Sequence, residues 1–377
     1  MKAIEIFFAT NREHKTENGE LKFTNNVLPP VTAGAFRVGR AVVHRDNGKY
    51  RLHEVELFSE RMIRSSDAAE TVLERDDLPP EVKVRAARQT ALDEASGRVK
   101  LGSNQLLEIV QQQMTDEQCD ALIFVHGFSN TFEMCLERAA ELKDKYQSNE
   151  VKEMVTFVFS WPSDGRTFPP LEYFDDRQDA ELSGRALARA LCRLIEFVRA
   201  SGKRGQLCRQ RLHLVCHSMG NWALRSAVQA LVNDYLKVQS LPIFEHVFLM
   251  AADEDDDALE KSYKLAPLTR FSQAIHVYHN KNDIALDISD ITKGNPDRLG
   301  KHGPKNMTMT GDRIVAIDCH KVDSSGVGDG NHQYYYKRHE VIDDVVQVLA
   351  GKAPDEIAGR EGVNNHPRRF RIKKRGV

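Results

Sequence analysis

The sequence, 377 residues long, has no extended apolar run. Its hydrophobic stretches are short and broken by charge, which excludes a transmembrane helix of about 20 apolar residues. The opening Met1-Lys2-Ala3-Ile4-Glu5-Ile6-Phe7-Phe8 is too short for a secretory signal. It is followed at once by the polar Asn11-Arg12-Glu13-His14, so a first strand is expected there. An excess of one charge sign is also missing. Against 53 Lys plus Arg stand 55 Asp plus Glu, a formal net charge of −2. Such a balance gives no general attraction to nucleic acid or to an anionic membrane. Cysteine is sparse: Cys119, Cys135, Cys192, Cys208, Cys216 and Cys319 are scattered with no CxxC pair. They read as buried free thiols in a protein of the reducing cytoplasm. No internal repeat and no metal-ligand spacing is found. The acidic run Asp253 to Asp257 lacks the ordered spacing of a calcium loop and reads as a solvated loop.

What is present is ordinary globular chemistry, with 41% hydrophobic and 29% charged residues, enough for a sizeable core. Three regions follow one another. Residues 1–115 hold strands at Ala3 to Ala9, Phe36 to Val43 and Tyr50 to Phe58. A charged stretch from Ser59 to Gly102 follows, punctuated by Pro79-Pro80 and helical in composition from Glu81 to Ala95. It reads as a solvated helical insertion in the same domain, and a further helix, capped by Ser103, runs to Gln113.

Residues 116–350 alternate strand and helix. Strands are expected at Ala121 to Val125, Val155 to Phe159, Arg211 to Val215, His246 to Ala251, Ala274 to His279 and Arg313 to Asp318. Helices are expected at Thr131 to Tyr146, Gln178 to Arg199, Asn221 to Leu236 and Glu340 to Leu349. In the long helix, Leu182, Ala186, Leu187, Ala190, Leu191, Leu194, Ile195 and Val198 share one face. Nearly all-apolar strands alternating with helices imply an α/β fold, with a mostly parallel sheet covered on both faces. Residues 351–377 end in Arg368, Arg369, Arg371, Lys373, Lys374 and Arg375, and read as a basic, flexible tail.

The most informative segment is Leu212-His213-Leu214-Val215-Cys216-His217-Ser218-Met219-Gly220-Asn221. An apolar strand runs into a serine between small residues and then into a helix, the pattern of a nucleophile elbow. Gly220 is the second small residue, and Cys216 stands where the pattern has its first glycine. The elbow is sterically pinched, and it puts the serine at a helix N-terminus, where N–H groups favour a developing oxyanion. The plainer reading is a helix-capping serine. Phe124-Val125-His126-Gly127-Phe128 follows the first strong strand of the second region, where this fold supplies a second oxyanion donor. Phe128 N–H and Met219 N–H are the expected donors. His126 precedes the nucleophile in the chain and reads as a structural histidine.

A serine at neutral pH needs a base, and in this fold the order is serine, acid, histidine. Asp283, just beyond a strand in Asn280-Lys281-Asn282-Asp283, is the preferred acid, with Asp253 after the preceding strand as its rival. His332, in the Gly-rich Gly328-Asp329-Gly330-Asn331-His332, is the preferred base over His320 and His339. Trp161 and Tyr173 sit in an aromatic stretch after a strand. With His126 and His217 they are candidate pocket residues, against the alternative of plain loop packing.

These segments resemble the bacterial α/β-hydrolase family known as an esterase/lipase-like domain of unknown function. The resemblance rests on Val125-His126-Gly127-Phe128, Phe159-Ser160-Trp161-Pro162-Ser163 with Gly165, and Tyr173 with Asp176 and Ala180. It extends to His217-Ser218-Met219-Gly220-Asn221, Asp283-Ile284-Ala285-Leu286, His332 with Tyr334, and the opening Phe7-Phe8-Ala9-Thr10-Asn11-Arg12. It implies the α/β-hydrolase fold and a Ser–Asp–His triad. Ala252 departs from the family's usual proline, and the Ser59 to Gly102 stretch is unusually long and charged. The expectation is a serine hydrolase acting on a small-molecule ester, thioester or other acyl substrate without a cofactor. An amidase or peptidase uses the same constellation. The alternative of another class is a non-catalytic binding module that uses the fold and the basic tail.

Overall fold

The computed structural model describes residues 1–58, 61–62, 99–100, 102–163, 170–203, 209–235, 242–287, 297–322 and 330–374. The expected helical stretch at Glu81 to Ala95, the free thiol assigned to Cys208 and Arg375 of the basic tail lie outside the described residues.

The amino-terminal strands are β1 (Lys2–Thr10), β2 (Arg12–Glu17), β3 (Glu20–Val27), β4 (Arg37–Asp46), β5 (Lys49–Leu57), β6 (Arg61–Met62) and β7 (Val99–Lys100). There follow β8 (Ala121–Val125), β9 (Val155–Ser160), β10 (Leu212–His217), β11 (Phe244–Met250), β12 (Ser272–His279), β13 (Ile314–Asp318), β14 (Arg360–Gly362) and β15 (Arg369–Ile372). The long helices are α1 (Gly102–Glu117), α2 (Phe132–Lys145), α3 (Pro170–Lys203), α4 (Gly220–Ala230) and α5 (His339–Leu349). No helix of the described residues is long and apolar enough to cross a membrane.

Eleven strands form one sheet in the order β14-β15-β13-β12-β11-β10-β8-β9-β1-β4-β5. From β15 to β1 every neighbouring pair is parallel, and antiparallel pairs occur only at the two edges. This is the expected α/β fold. The central strands carry apolar side chains on both faces because both faces are covered. α2 and α5 pack on one face with Phe124, Val215, Phe248 and Ile317. α3 and α4 pack on the other with Val125, Leu214, Val247 and Ile275. Asn18-Gly19 and Asn47-Gly48, all with positive φ, turn the hairpins β2–β3 and β4–β5, since tight hairpin turns need left-handed backbone at both positions.

Several expectations change. Ser103, expected as a cap, lies inside α1, and Asp253, Glu254 and Asp256 of the acidic run read as solvated are buried. α3 begins eight residues earlier than its apolar periodicity implies, and Leu182, placed on its buried face, is exposed. α4 ends at Ala230 and passes into a π turn over Leu231–Tyr235. The largest correction is the basic tail. Residues 360–372 are not a flexible terminus but add β14 and β15 to the sheet, with β15 parallel to β13. The alternation Arg369-Phe370-Arg371-Ile372 buries Phe370 and Ile372 and leaves the cations to find partners. Arg371 pairs with Asp318 at 3.0 Å, Arg368 donates to the Gly311 carbonyl at 2.7 Å, and buried Arg360 clasps Asp344 at 2.6 and 2.7 Å.

Candidate active site

β8 and β10 are neighbours in the sheet, yet β9 follows β8 outward on one side and β11 follows β10 outward on the other. The helices after them accordingly pack on opposite faces, which opens a crevice at the carboxyl ends of β8 and β10. Ser218 lies in that crevice.

The elbow is strained and close-packed. Ser218 has φ 51°, left-handed backbone that a non-glycine residue adopts only when its surroundings enforce it. Ser218 N–H donates to the Met250 carbonyl at 2.9 Å, and the Ser218 carbonyl accepts from Asp253 N–H at 3.2 Å and from Asn221 Nδ2 at 3.0 Å. A β-carbon on Gly220 would stand 2.4 Å from the His126 carbonyl, and one on Gly127 would stand 2.8 Å from Ser218 Cβ. Both glycines are therefore demanded by close approach of the β8 loop to the elbow. Cys216 fills the first glycine position of the pattern with its side chain wholly buried in the core beneath.

His332 Nδ1 lies 2.7 Å from Asp283 Oδ2. A carboxylate accepts, so Nδ1 carries a hydrogen and donates it to Asp283. Asp283 is fully buried, and its other oxygen accepts from Leu286 N–H at 3.2 Å. The two loops are joined by main chain as well, Ile284 N–H donating to the Gly330 carbonyl at 2.9 Å. Asp253, the rival acid, faces elsewhere: its carboxylate lies 3.7 Å from Arg298 Nε.

The loop carrying Phe128 is held by a polar cluster. Buried Arg12 donates from Nη2 to the Asn130 carbonyl at 2.7 Å and from Nε to Ser160 Oγ at 3.0 Å. Asn130 Nδ2 reaches back to the carbonyls of Gly127 and Phe128 at 3.0 and 2.8 Å. Ser163 Oγ accepts from Asn130 N–H at 3.2 Å and donates to Asp176 Oδ2 at 2.5 Å, and that oxygen also receives Ser129 N–H at 3.4 Å. Sequence reasoning gave Arg12, Asn130, Ser163 and Asp176 no role in the site. Arg12, Asn130 and Ser163 are polar residues shortly after apolar strands and Asp176 lies within α3; apart from that, only the place of Arg12, Ser163 and Asp176 in the segments that carry the family resemblance marks them.

The candidate pocket residues fall into two kinds. His126 is buried, with Nε2 accepting Trp161 N–H at 3.0 Å and Nδ1 donating to the Gly127 carbonyl at 2.8 Å. Burial, and then the Arg12 charge, push it down to about 3, so it is a neutral strut. Trp161 has no exposed surface, stacks on His126 with ring centroids 4.9 Å apart and donates its indole N–H to the His126 carbonyl at 2.8 Å. Neither has the free surface that a pocket wall needs. His217 donates from Nε2 to the His332 carbonyl at 3.1 Å. Tyr173 falls within α3, and its side chain lies outside the described residues. Met219 is buried at the start of α4, where its carbonyl accepts Trp222 N–H at 2.9 Å. Among the described residues no cluster of three or more His, Cys, Asp or Glu is placed to hold a metal ion.

Comparison with known proteins gives the following. Among solved structures, similar chains include a phospholipase from Legionella pneumophila in complex with thio-NAD, at 17% identity, TM-score 0.24, covering 57% of this chain and 40% of that one. A Listeria innocua gene product matches at 13% identity and TM-score 0.32, over 63% of this chain and 97% of that one. A truncated carbohydrate esterase from gut microbiota matches at 13% and 0.28, over 62% and 87%. The chain thus spans less than half the length of the phospholipase it matches. No curated protein matches it. Residues 103–352, well over half of the chain, match the family described as alpha/beta hydrolase of unknown function (DUF900). With its mostly parallel sheet and helices on both faces, the chain belongs to that α/β-hydrolase family.

Proposed function

We propose that the protein is a serine hydrolase that cleaves a carboxylic ester or thioester through an acyl-enzyme, with Ser218 as nucleophile, His332 as base and Asp283 as the acid that orients it. The observation that carries this reading is the 2.7 Å contact between His332 Nδ1 and buried Asp283, on two loops that converge on the crevice of the strained Ser218. Ser218 Oγ attacks the carbonyl carbon while its proton passes to His332 Nε2. The carbonyl π electrons move to oxygen, and Phe128 N–H and Met219 N–H are the donors assigned to that oxyanion. Collapse expels the alcohol or thiol, which takes the proton from His332 and leaves an ester on Ser218. Water repeats the sequence, giving up a proton to His332 and releasing the carboxylic acid. Buried Asp283 steadies the imidazolium at each step.

The test is covalent labelling by a fluorophosphonate, with the modified peptide located by mass spectrometry, followed by hydrolysis of a panel of chromogenic esters. Label is expected on Ser218 and absent in Ser218→Ala. Turnover in Ser218→Ala and His332→Ala should fall by on the order of 10⁴-fold or more, with unchanged thermal unfolding. Wild-type turnover in Ser218→Ala would refute the assignment.

A further inference from the structure

The residue before the nucleophile does more than fill the elbow. His217 is 6% exposed, and its ring meets three separate parts of the site. Its Nε2 lies 3.1 Å from the His332 carbonyl, and since a carbonyl only accepts, Nε2 bears the hydrogen. Its ring centroid lies 4.7 Å from that of His332 and 4.5 Å from that of Tyr335. On the opposite side Nδ1 faces the β8 loop: a β-carbon on Gly127 would lie 2.9 Å from it. Ser218 is its neighbour in the chain.

We propose that His217 is the positioning residue that sets the distance between His332 and Ser218, by fastening the main chain of the base to the elbow. The inference rests on the serine-hydrolase reading above. His332 sits between two anchors, the Gly330 carbonyl that accepts Ile284 N–H and Tyr334, whose hydroxyl bonds the Tyr278 carbonyl at 2.8 Å. His217 supplies a third anchor to the residue itself. A base that relays a proton between Ser218 Oγ and a leaving group must hold its place, and a displacement of about 1 Å lowers turnover by about 10²-fold. The tie needs only the Nε2 hydrogen, but the relay is served by a neutral ring, because a second cation would oppose the imidazolium of His332. Burial, and then the charge of His332, keep His217 well below the ordinary histidine range.

The test compares three substitutions on the full chain. In His217→Gln the side-chain amide reaches the place of Nε2 and donates to the same carbonyl. In His217→Asn the amide stops short, and in His217→Ala no donor remains. We expect His217→Asn and His217→Ala to lower kcat and the rate of fluorophosphonate labelling at Ser218 by about 10- to 100-fold, with KM within about twofold. His217→Gln should recover most of that loss. Thermal unfolding identifies any variant that fails to fold, and the rescue by Gln is then the deciding comparison. Labelling of His217→Asn at the wild-type rate would overturn the proposal, and so would equal impairment of folded His217→Gln and His217→Ala, which would make ring packing rather than the donor responsible. Absence of label on the wild type would instead remove the reading on which the proposal rests.

Discussion

Two groups of buried or half-buried histidines, one at the carboxyl ends of the strands and one within them, are held differently. At the carboxyl ends of the strands, His126, His217 and His332 are bonded to main-chain groups or to Asp283. Within the strands, His213, His246 and His276 form a row. His213 Nε2 lies 3.3 Å from Asp120, and His246 Nδ1 lies 3.1 Å from His276 Nε2. Among the described residues, His213 Nδ1, His246 Nε2 and His276 Nδ1 have no hydrogen-bond partner. Inside a strand the ladder consumes the backbone N–H and C=O groups, so an imidazole there can pair only with other side chains. Where the ladder stops, carbonyls are free to accept, and the chain can aim an imidazole. Backbone strain follows the same division. Among the described residues, four with positive φ are neither glycine nor asparagine, and three of them, Ser129, Ser218 and Ala251, follow β8, β10 and β11.

The contrast can be probed by experiment. The largest effect is expected from Asp283→Asn, which leaves the loops in place but reverses the hydrogen-bond demand on His332 Nδ1. Turnover should fall by about 10⁴-fold with little change in unfolding temperature; a fall below tenfold would return Asp253 to consideration. Asp176→Asn comes next. It keeps the size of the group that receives Ser129 N–H and the Ser163 hydroxyl but removes its charge, so kcat should fall by about tenfold at constant KM. Steady-state kinetics on a reactive ester checks both.

The strand-interior row should instead control stability in acid. Burial, and then the neighbouring His213, push His246 down to about 3; burial alone or foremost lowers His276 and His213 as well. A histidine depressed in the folded state is neutral there while the unfolded chain takes up its proton near pH 6.5. The unfolded state then binds more protons, so stability is intact above about pH 6.5 and declines as the pH falls, by up to about 1.4 kcal/mol per pH unit for each such group. His126 and His279, lowered to about 3 and about 4, contribute in the same direction. Urea unfolding between pH 7 and 5 should show the decline. It should be shallower in His246→Phe, the smallest of these effects, while labelling of Ser218 at neutral pH stays unchanged. An equal slope in that variant would show that the row does not govern acid stability.

Much of the fold is legible from period and punctuation. Ala121 to Val125 is bounded in the chain as it is in the sheet, and the apolar run from Leu212 into Ser218 announces a strand, a sharp turn and a helix. The β2–β3 hairpin was hidden by its polar composition, although Asn18-Gly19 marks its turn. Charge likewise masked β15, since five of the seven residues from Arg368 to Lys374 are cations and only the two apolar ones between them, Phe370 and Ile372, are buried. Arg12 reads as an exposed cation in any local window. Only the packing of β1 beside β9 brings it to Ser160 and Asn130.

By itself the sequence determined the alternation of strand and helix, the sharp turn at Ser218 and a short list of candidate carboxylates and histidines in the loops after the strands, because these depend on local period, small residues and loop position. Tertiary structure decided that Asp283 rather than Asp253 meets His332, that His126 and Trp161 are buried struts, and that the basic carboxyl-terminal segment is a sheet edge. Each of these turns on which distant strand lies alongside and where its last hydrogen bond falls, and no local pattern carries that information.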